Sequence, residues 1–300
     1  MQRGLFAALL GASLVVVGHG QRDIPAEWTT RTPPFHIIDT IYYVGTLDLA
    51  SYLVTTRAGH ILIDTGIEQN AGAIMDNIRA LGFAPRDVRI MLTTQGHFDH
   101  VGAHAHLKKA TGARVLVTAG DADLLRHGGK GDDFFGPAFS FPPVTVDGIV
   151  GDGEVIRLGG AALTAHLTPG HTKGTTTWTM EAHDKLKRLR YVMFMGSTTV
   201  NQGVKLVDNN QYPEIATDYQ RSFMTLKALP CDVFLTAHAS VFGGPQKASA
   251  AAAGKGEDAF MDPAGCRAAI ARSQAAFSDE LARQREEKVR SKKFEVRSTK

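Results

Sequence analysis

The feature that most limits what this chain can become is the run Gln95-Gly96-His97-Phe98-Asp99-His100, set directly after the apolar stretch Val88 to Thr93. An extended backbone points residues 95, 97 and 99 to one side, and a turn into a following helix brings His100 round as a fourth donor. Two more histidines follow apolar stretches in the same way: His171 in Thr168-Pro169-Gly170-His171-Thr172-Lys173-Gly174, and His238 in Leu235-Thr236-Ala237-His238-Ala239-Ser240. Amide oxygen, carboxylate and imidazole together form a donor set suited to zinc. The fold must then bring several strand ends to one rim, where loops carry site residues.

Short β-branched runs predict strands at Ile41 to Val44, Ser51 to Thr55, Ile61 to Asp64, Val88 to Thr93, Arg114 to Val117, Ala162 to His166, Thr175 to Met180, Arg190 to Met195 and Asp232 to Thr236. Helical spacing appears from Ala71 to Leu81, stopped by Gly82, and after Asp262-Pro263, where Asp262 serves as N-cap and Cys266, Ile270, Phe277 and Leu281 share one side. Strands in hairpin order first, then alternating with helices, predict an α+β fold. Its form is two sheets flanked by helices, an αββα sandwich. The Ala/Gly-rich stretch Ala248 to Gly256 reads as a surface excursion inside the domain.

A formal charge of +3 excludes little by itself, so its placement matters: Arg285 to Lys300 hold seven Lys/Arg against three Glu. That leaves the body without the basic excess a nucleic-acid partner requires, and residues 285–300 read as a solvated, disordered end. Residues 1–20 have Arg3 at the start, an apolar run from Leu5 to Val17 and small residues at Gly18 and Gly20, the outline of a signal peptide. The run is too short to span a bilayer, which requires about 20 apolar residues. Export to the periplasm or medium follows as the expectation. In that oxidising setting the two cysteines, Cys231 and Cys266, either pair or remain unrelated buried thiols.

Gln-x-His-x-Asp-His at 95–100, Pro-Gly-His-Thr at 169–172 and the late His238 resemble the metallo-β-lactamase superfamily signature, and the likeness runs from about Trp28 to Leu281. Within that superfamily the chain is most similar to subclass B3 β-lactamases of the branch with Gln in the first ligand position. The resemblance implies a domain over residues 28–284 and one or two Zn2+ ions. Gln95, His97 and His171 would hold the first zinc, and Asp99, His100 and His238 the second. It further implies hydrolysis of the β-lactam amide of penicillins, cephalosporins and carbapenems by a metal-bound hydroxide that Asp99, as the catalytic residue, orients. Relatives that act on lactones, thioesters or tRNA carry a metal-bridging Asp after a later strand. This chain reads Met195-Gly196-Ser197-Thr198-Thr199 there, as in subclass B3. The Cys231 and Cys266 pair also resembles a disulfide of some members of that subclass.

Other residues keep two readings at this stage. Ser197 and Thr199 either bind substrate through their hydroxyls or serve the turn. Asp64 either orients a ligand from behind or shapes the turn before Gly66. Phe134, Phe135, Phe139 and Phe141 either pack the core or wall the site. His104 and His106, two apart on a helix and so about 200° apart, cannot share a metal. The expected partner is a small β-lactam molecule, with no nucleic acid, no membrane after leader removal, and a monomeric state. Rival functions are another hydrolase of the same fold, acting on lactones or thioesters, and an exported zinc-binding protein without catalysis.

Overall fold

The strands form because each apolar run has partners on both sides. In Gly59–Ile63 and Val88–Leu92, alternate side chains enter two different apolar clusters: Ile61, Ile63, Ile90 and Leu92 face one, Leu62 and Met91 the other. Such doubly buried strands read as continuous apolar runs rather than as alternation. The computed structural model describes residues 24–132 and 134–298, so the expected leader at 1–20 lies outside the described residues.

The first sheet contains β1 (Phe35–Ile38), β2 (Ile41–Tyr43), β3 (Tyr52–Thr56), β4 (Gly59–Ile63), β5 (Val88–Leu92), β6 (Arg114–Thr118) and β7 (Gly148–Val150) in sequential order. The second contains β8 (Val155–Leu158), β9 (Ala161–Leu167), β10 (Thr176–His183), β11 (Leu189–Met195) and β12 (Val233–Thr236), ordered β12-β11-β10-β9-β8. Pairing is antiparallel from β1 to β4 and parallel from β4 to β7, while only β11–β12 is parallel in the second sheet. Between the sheets lie Tyr52, Val54, Ile61, Ile63 and Leu92 from one side and Leu163, Trp178, Phe194 and Leu235 from the other.

Helices α1 (Ala71–Ala80), α2 (Phe98–Val101), α3 (His104–Thr111) and α4 (Ala119–Arg126) belong to the first half. The second half holds α5 (Ile215–Ala228), α6 (Ala239–Phe242), α7 (Gly244–Ala250) and α8 (Pro263–Ser298). Ile74, Ile78, Leu107 and Leu125 cover the outer face of the first sheet. Tyr219, Phe223, Ile270, Phe277 and Leu281 cover the second. The αββα sandwich expected from strand order is the fold found. Asp262 caps α8 as predicted, its Oδ1 accepting from the Gly265 amide at 2.8 Å. Residues Ala248 to Gly256 form exposed helical turns.

Three short strands, β1, β7 and β8, escaped the sequence reading. The basic end departs from expectation more clearly, since α8 continues as helix to Ser298. Its charges alternate at helical spacing: Arg283 meets Glu280 at 2.6 Å and Glu287 at 2.5 Å, and Lys288 reaches Asp208 at 2.6 Å. Such pairs and strong helix formers sustain an exposed helix that composition alone marks as disordered.

Cys231, just before β12, is bonded to Cys266 in the first turns of α8, across a sequence separation of 35. Replacing both cysteines by Ser is expected to lower unfolding stability by about 3 to 4 kcal/mol through the released chain entropy. Urea titration of the two proteins under non-reducing conditions measures it, and coincident midpoints would contradict the expectation.

Candidate metal centre

Strand β5 ends at Leu92, and the chain runs extended through His97 (φ −72°, ψ 151°) before turning into α2. The first turn of α2 therefore places Asp99 and His100 back over the rim. The His97 carbonyl closes that turn by accepting from His100 N at 2.9 Å. His171 sits in the β9–β10 loop, where Gly170 adopts φ +140° with its face against the Tyr219 ring. A Cβ there would lie 2.7 Å from that ring, so only glycine fits. His238 leaves β12 at the cap of α6, with the Trp28 ring 5.7 Å away.

All six predicted ligands are buried or nearly so: Gln95 (1% exposed), His97, Asp99 and His100 fully, His171 and His238 in part. His97 Nδ1 lies 3.1 Å from His171 Nε2. Asp99, His100 and His238 direct ligand atoms to within 4.8 Å of one another. Asp99 Oδ2 is 3.2 Å from His100 Nε2 and 3.5 Å from His238 Nε2. The first of these contacts is close without hydrogen-bond alignment, since His100 Nε2 has no hydrogen-bond partner.

Each outer nitrogen selects the tautomer. His171 Nδ1 donates to the Thr199 carbonyl at 2.7 Å, and His238 Nδ1 donates to Asp48 Oδ2 at 2.9 Å, leaving Nε2 of each facing inward. His97 presents Nε2 to Asp132 at 3.5 Å and Nδ1 to His171. Burial pushes His97 down to about 4 and His171 down to about 3, so both offer lone pairs at neutral pH. Burial opposes charge on His238 as well. Its bonds to Asp48 and Asp99 outweigh that and lift it to about 9. Asp99 itself, despite burial, is held well below the usual carboxylate range by His100, His238 and His97.

Gln95 Oε1, Asp99 Oδ1 and both ring nitrogens of His100 are buried without a hydrogen-bond partner. Leaving such atoms unsatisfied costs about 1 to 3 kcal/mol each, so this many within the six residues 95–100 call for a ligand. Amide oxygen, carboxylate and neutral imidazoles are zinc donors, and two carboxylates around a raised His238 call for positive charge. The residues present fit the metal.

Three acids hold this arrangement from behind. Asp64 joins both of its sequence readings: it sits at φ +56° before Gly66, accepts from Thr94 N and Oγ1 at 2.7 and 2.6 Å, and lies 3.9 Å from His100 Nδ1. Asp121, which sequence reasoning missed, accepts from Gly96 N, Thr172 Oγ1 and Gly174 N at 2.7, 2.7 and 2.9 Å. It thereby ties the loop of His97 to the loop of His171. Asp48, also missed, binds the Ser240 amide at 2.9 Å besides His238. No local pattern marks either acid, because both act on residues far away in sequence.

A cavity of about 830 Å3 opens beside His97 and His171, walled by Lys130, Phe134, Lys173, Lys205 and Tyr212 among others. The phenylalanines divide: Phe135 stands edge-on to His97 at 4.9 Å and Phe134 lies nearby, Phe139 stacks on Phe98, and Phe141 is core. Ser197 and Thr199 do not line this cavity. Thr199 turns its carbonyl to His171 and borders a neighbouring hollow, and Ser197 Oγ faces the Thr199 amide at 3.4 Å, a turn role. His104 and His106 part as expected, His104 buried against Thr65 Oγ1 at 2.8 Å and His106 outside, 3.7 Å from Glu68.

Known proteins match this geometry. The metallo-beta-lactamase superfamily model matches residues 45–238. The native FEZ-1 metallo-beta-lactamase from Legionella gormanii superposes with TM-score 0.84 at 41% identity, covering 86% of this chain and 98% of that one. BJP-1, a subclass B3 metallo-beta-lactamase of Bradyrhizobium japonicum, gives 0.81 and 38%, covering 87% and 98%. A hydroxyacylglutathione hydrolase of Bradyrhizobium sp. (strain BTAi1 / ATCC BAA-1182) is 30% identical over 162 residues, 54% of this chain and 51% of that protein. The chain spans about half the length, or less, of the curated relatives it matches.

Because Asp48 fixes the inward nitrogen of His238, Asp48→Asn is expected to weaken zinc binding by about 10- to 100-fold. Competition against a chromophoric chelator measures this; an unchanged affinity would mean that packing on Trp28 alone orients the imidazole.

Proposed function

The chain belongs to the metallo-beta-lactamase superfamily, and from that membership we propose that it is a zinc-dependent β-lactamase of subclass B3 type. It would open the lactam ring of penicillins, cephalosporins and carbapenems. The observation that carries the reading is likeness over nearly whole chains to β-lactamases, 41% identical with TM-score 0.84 for FEZ-1. The thioester hydrolases match over half their length, at 30% identity. Ser197, at the place where those relatives carry a metal-bridging Asp, supports the same side.

Gln95, His97 and His171 would hold one zinc ion, and Asp99, His100 and His238 a second. A bound zinc ion supplies Lewis acidity and brings the pKa of water to about 7. The protein's own part is orientation. Asp99, ionised and with Oδ1 unpartnered, accepts a hydrogen bond from the attacking water and sets its direction. His171 and His238 stay fixed through Thr199 O and Asp48, so no reorganisation is needed during reaction. Phe134 and Phe135 shield the His97 side from bulk water, and the cavity volume is that of a drug-sized ligand site.

The same reading extends to export, as a monomer, to the periplasm or the medium, and the Cys231–Cys266 disulfide supports an oxidising compartment. Among the described residues no helix is long and apolar enough to cross a membrane.

Chelation is expected to abolish nitrocefin hydrolysis and added zinc to restore it, with a hydroxyacylglutathione thioester as the comparison substrate. Turnover surviving verified metal removal, or of the thioester alone, would overturn the proposal. Asp99→Asn should reduce kcat/KM by about 100-fold or more, and further than Gln95→Ala. Gln95→His should raise the zinc retained after dialysis toward two equivalents, read by elemental analysis. Tight retention of two by the parent would show that the amide is an adequate ligand.

A further inference from the structure

The connection from Met195 to Ile215 is long for a structureless link inside a domain, and its second half forms one side of the cavity. Val204, Lys205, Asp208, Asn209 and Tyr212 line that side, facing His97 and His171. A loop of this length keeps one shape only if something other than a sheet holds it. Leu206 anchors part of it in the core at 4% exposure. Tyr212 is also buried in the core and bonds Asp218, and Asn209 ties residues 205, 211 and 212 together. A further hold, on residues 204 to 208, comes from α8 on the far side of the loop.

Gln284 of α8 gives three of its four amide hydrogen bonds to that task. Its Oε1 accepts from Leu206 N at 2.7 Å and Val207 N at 3.2 Å. Its Nε2 donates to the Val204 carbonyl at 2.8 Å and to Glu280 Oε1 at 2.7 Å, which in turn is held by Arg283. The pattern fixes which end of the amide is oxygen: one end faces two donors, the other two acceptors. Three loop backbone groups, at 204, 206 and 207, are therefore tied to one side chain. Lys288, one turn further along α8, adds an ion pair to Asp208.

We propose that Gln284 is a positioning residue that sets the width of the substrate cavity, acting through the 204–208 segment and touching neither substrate nor metal. Resting on the hydrolytic reading given above, it names what shapes the substrate side of that site. The consequence is specific: loosening Gln284 weakens substrate binding while the metal ligands, which lie on other loops, keep their places.

The test compares the zinc-loaded parent with Gln284→Met, which keeps length and removes both polar functions, and Gln284→Glu, which keeps only the acceptor. In Gln284→Met, hydrogen exchange at the Leu206 and Val207 amides should quicken by about tenfold, and the KM for nitrocefin should rise by about five- to tenfold. The kcat should remain within about twofold and zinc content should not change. Gln284→Glu should also quicken exchange at both amides and raise KM, because its second oxygen meets Glu280 Oε1 and the Val204 carbonyl where Nε2 donated, and it keeps the idea testable if the Met variant misfolds. Unchanged exchange, unchanged KM, or a parallel loss of kcat and zinc would each overturn the proposal. A parent inactive on nitrocefin would instead defeat the β-lactamase reading, and amide exchange alone would then judge Gln284.

Discussion

Everything at the rim of this sandwich depends on one cost: polar atoms buried without partners. Gln95 Oε1, Asp99 Oδ1 and the His100 nitrogens sit out of water with no donor or acceptor of their own. A chain tolerates several such atoms in one place only when a ligand satisfies them and the surrounding structure prevents them from turning to other partners. The strand ends, the one-turn helix α2 and the glycine at 170 all serve the second condition. Asp64, Asp121 and Asp48 complete it, because each occupies backbone amides or hydroxyls that would otherwise compete for the site residues.

The sandwich was legible because β-branched runs and their order are local properties, and doubly buried strands such as β4 and β5 leave uninterrupted apolar stretches. The candidate ligands were legible for a related reason: His and Asp at strand ends stand out against their neighbours, the spacing resembles a known signature, and the fold brings Asp99, His100 and His238 together. What holds them was not. Asp48 lies 190 residues from the His238 it orients, and Asp121 lies 51 from Thr172. Such pairings exist only after folding. Thr199 acts on the site through a group that residue type does not announce: its backbone carbonyl holds His171 Nδ1.

Helix α8 shows how composition misleads when charges are counted but not spaced. Residues 285–300 have the excess of lysine and arginine typical of a solvated tail. Glu287 of that stretch pairs with Arg283 one turn back, and Lys288 reaches Asp208 in the loop before α5, so part of its charge is engaged by the folded body. The same helix carries the disulfide at its start and Gln284 near the middle. It links the covalent tether at β12 to the outer wall of the cavity, so its persistence as helix has a role beyond covering the second sheet.

The charge distribution around the two ligand trios completes the account of the site. Asp99 gives its trio a negative charge, and Asp48 and Asp64 lie next to His238 and His100. Gln95, His97 and His171 bring none, since burial keeps both imidazoles neutral. Negative charge near that neutral trio comes from Asp132, 3.5 Å from His97 Nε2, and from Asp121 behind Gly96. Burial lifts Asp121 to about 6, so acidification removes that charge sooner than it would from an exposed carboxylate. An amide and a neutral imidazole are equally uncharged, so with either at position 95 the electrostatic support of this trio comes from groups behind the ligands. Coulomb attraction through a buried, low-dielectric wall remains effective over that distance, whereas a solvent-facing carboxylate would be screened.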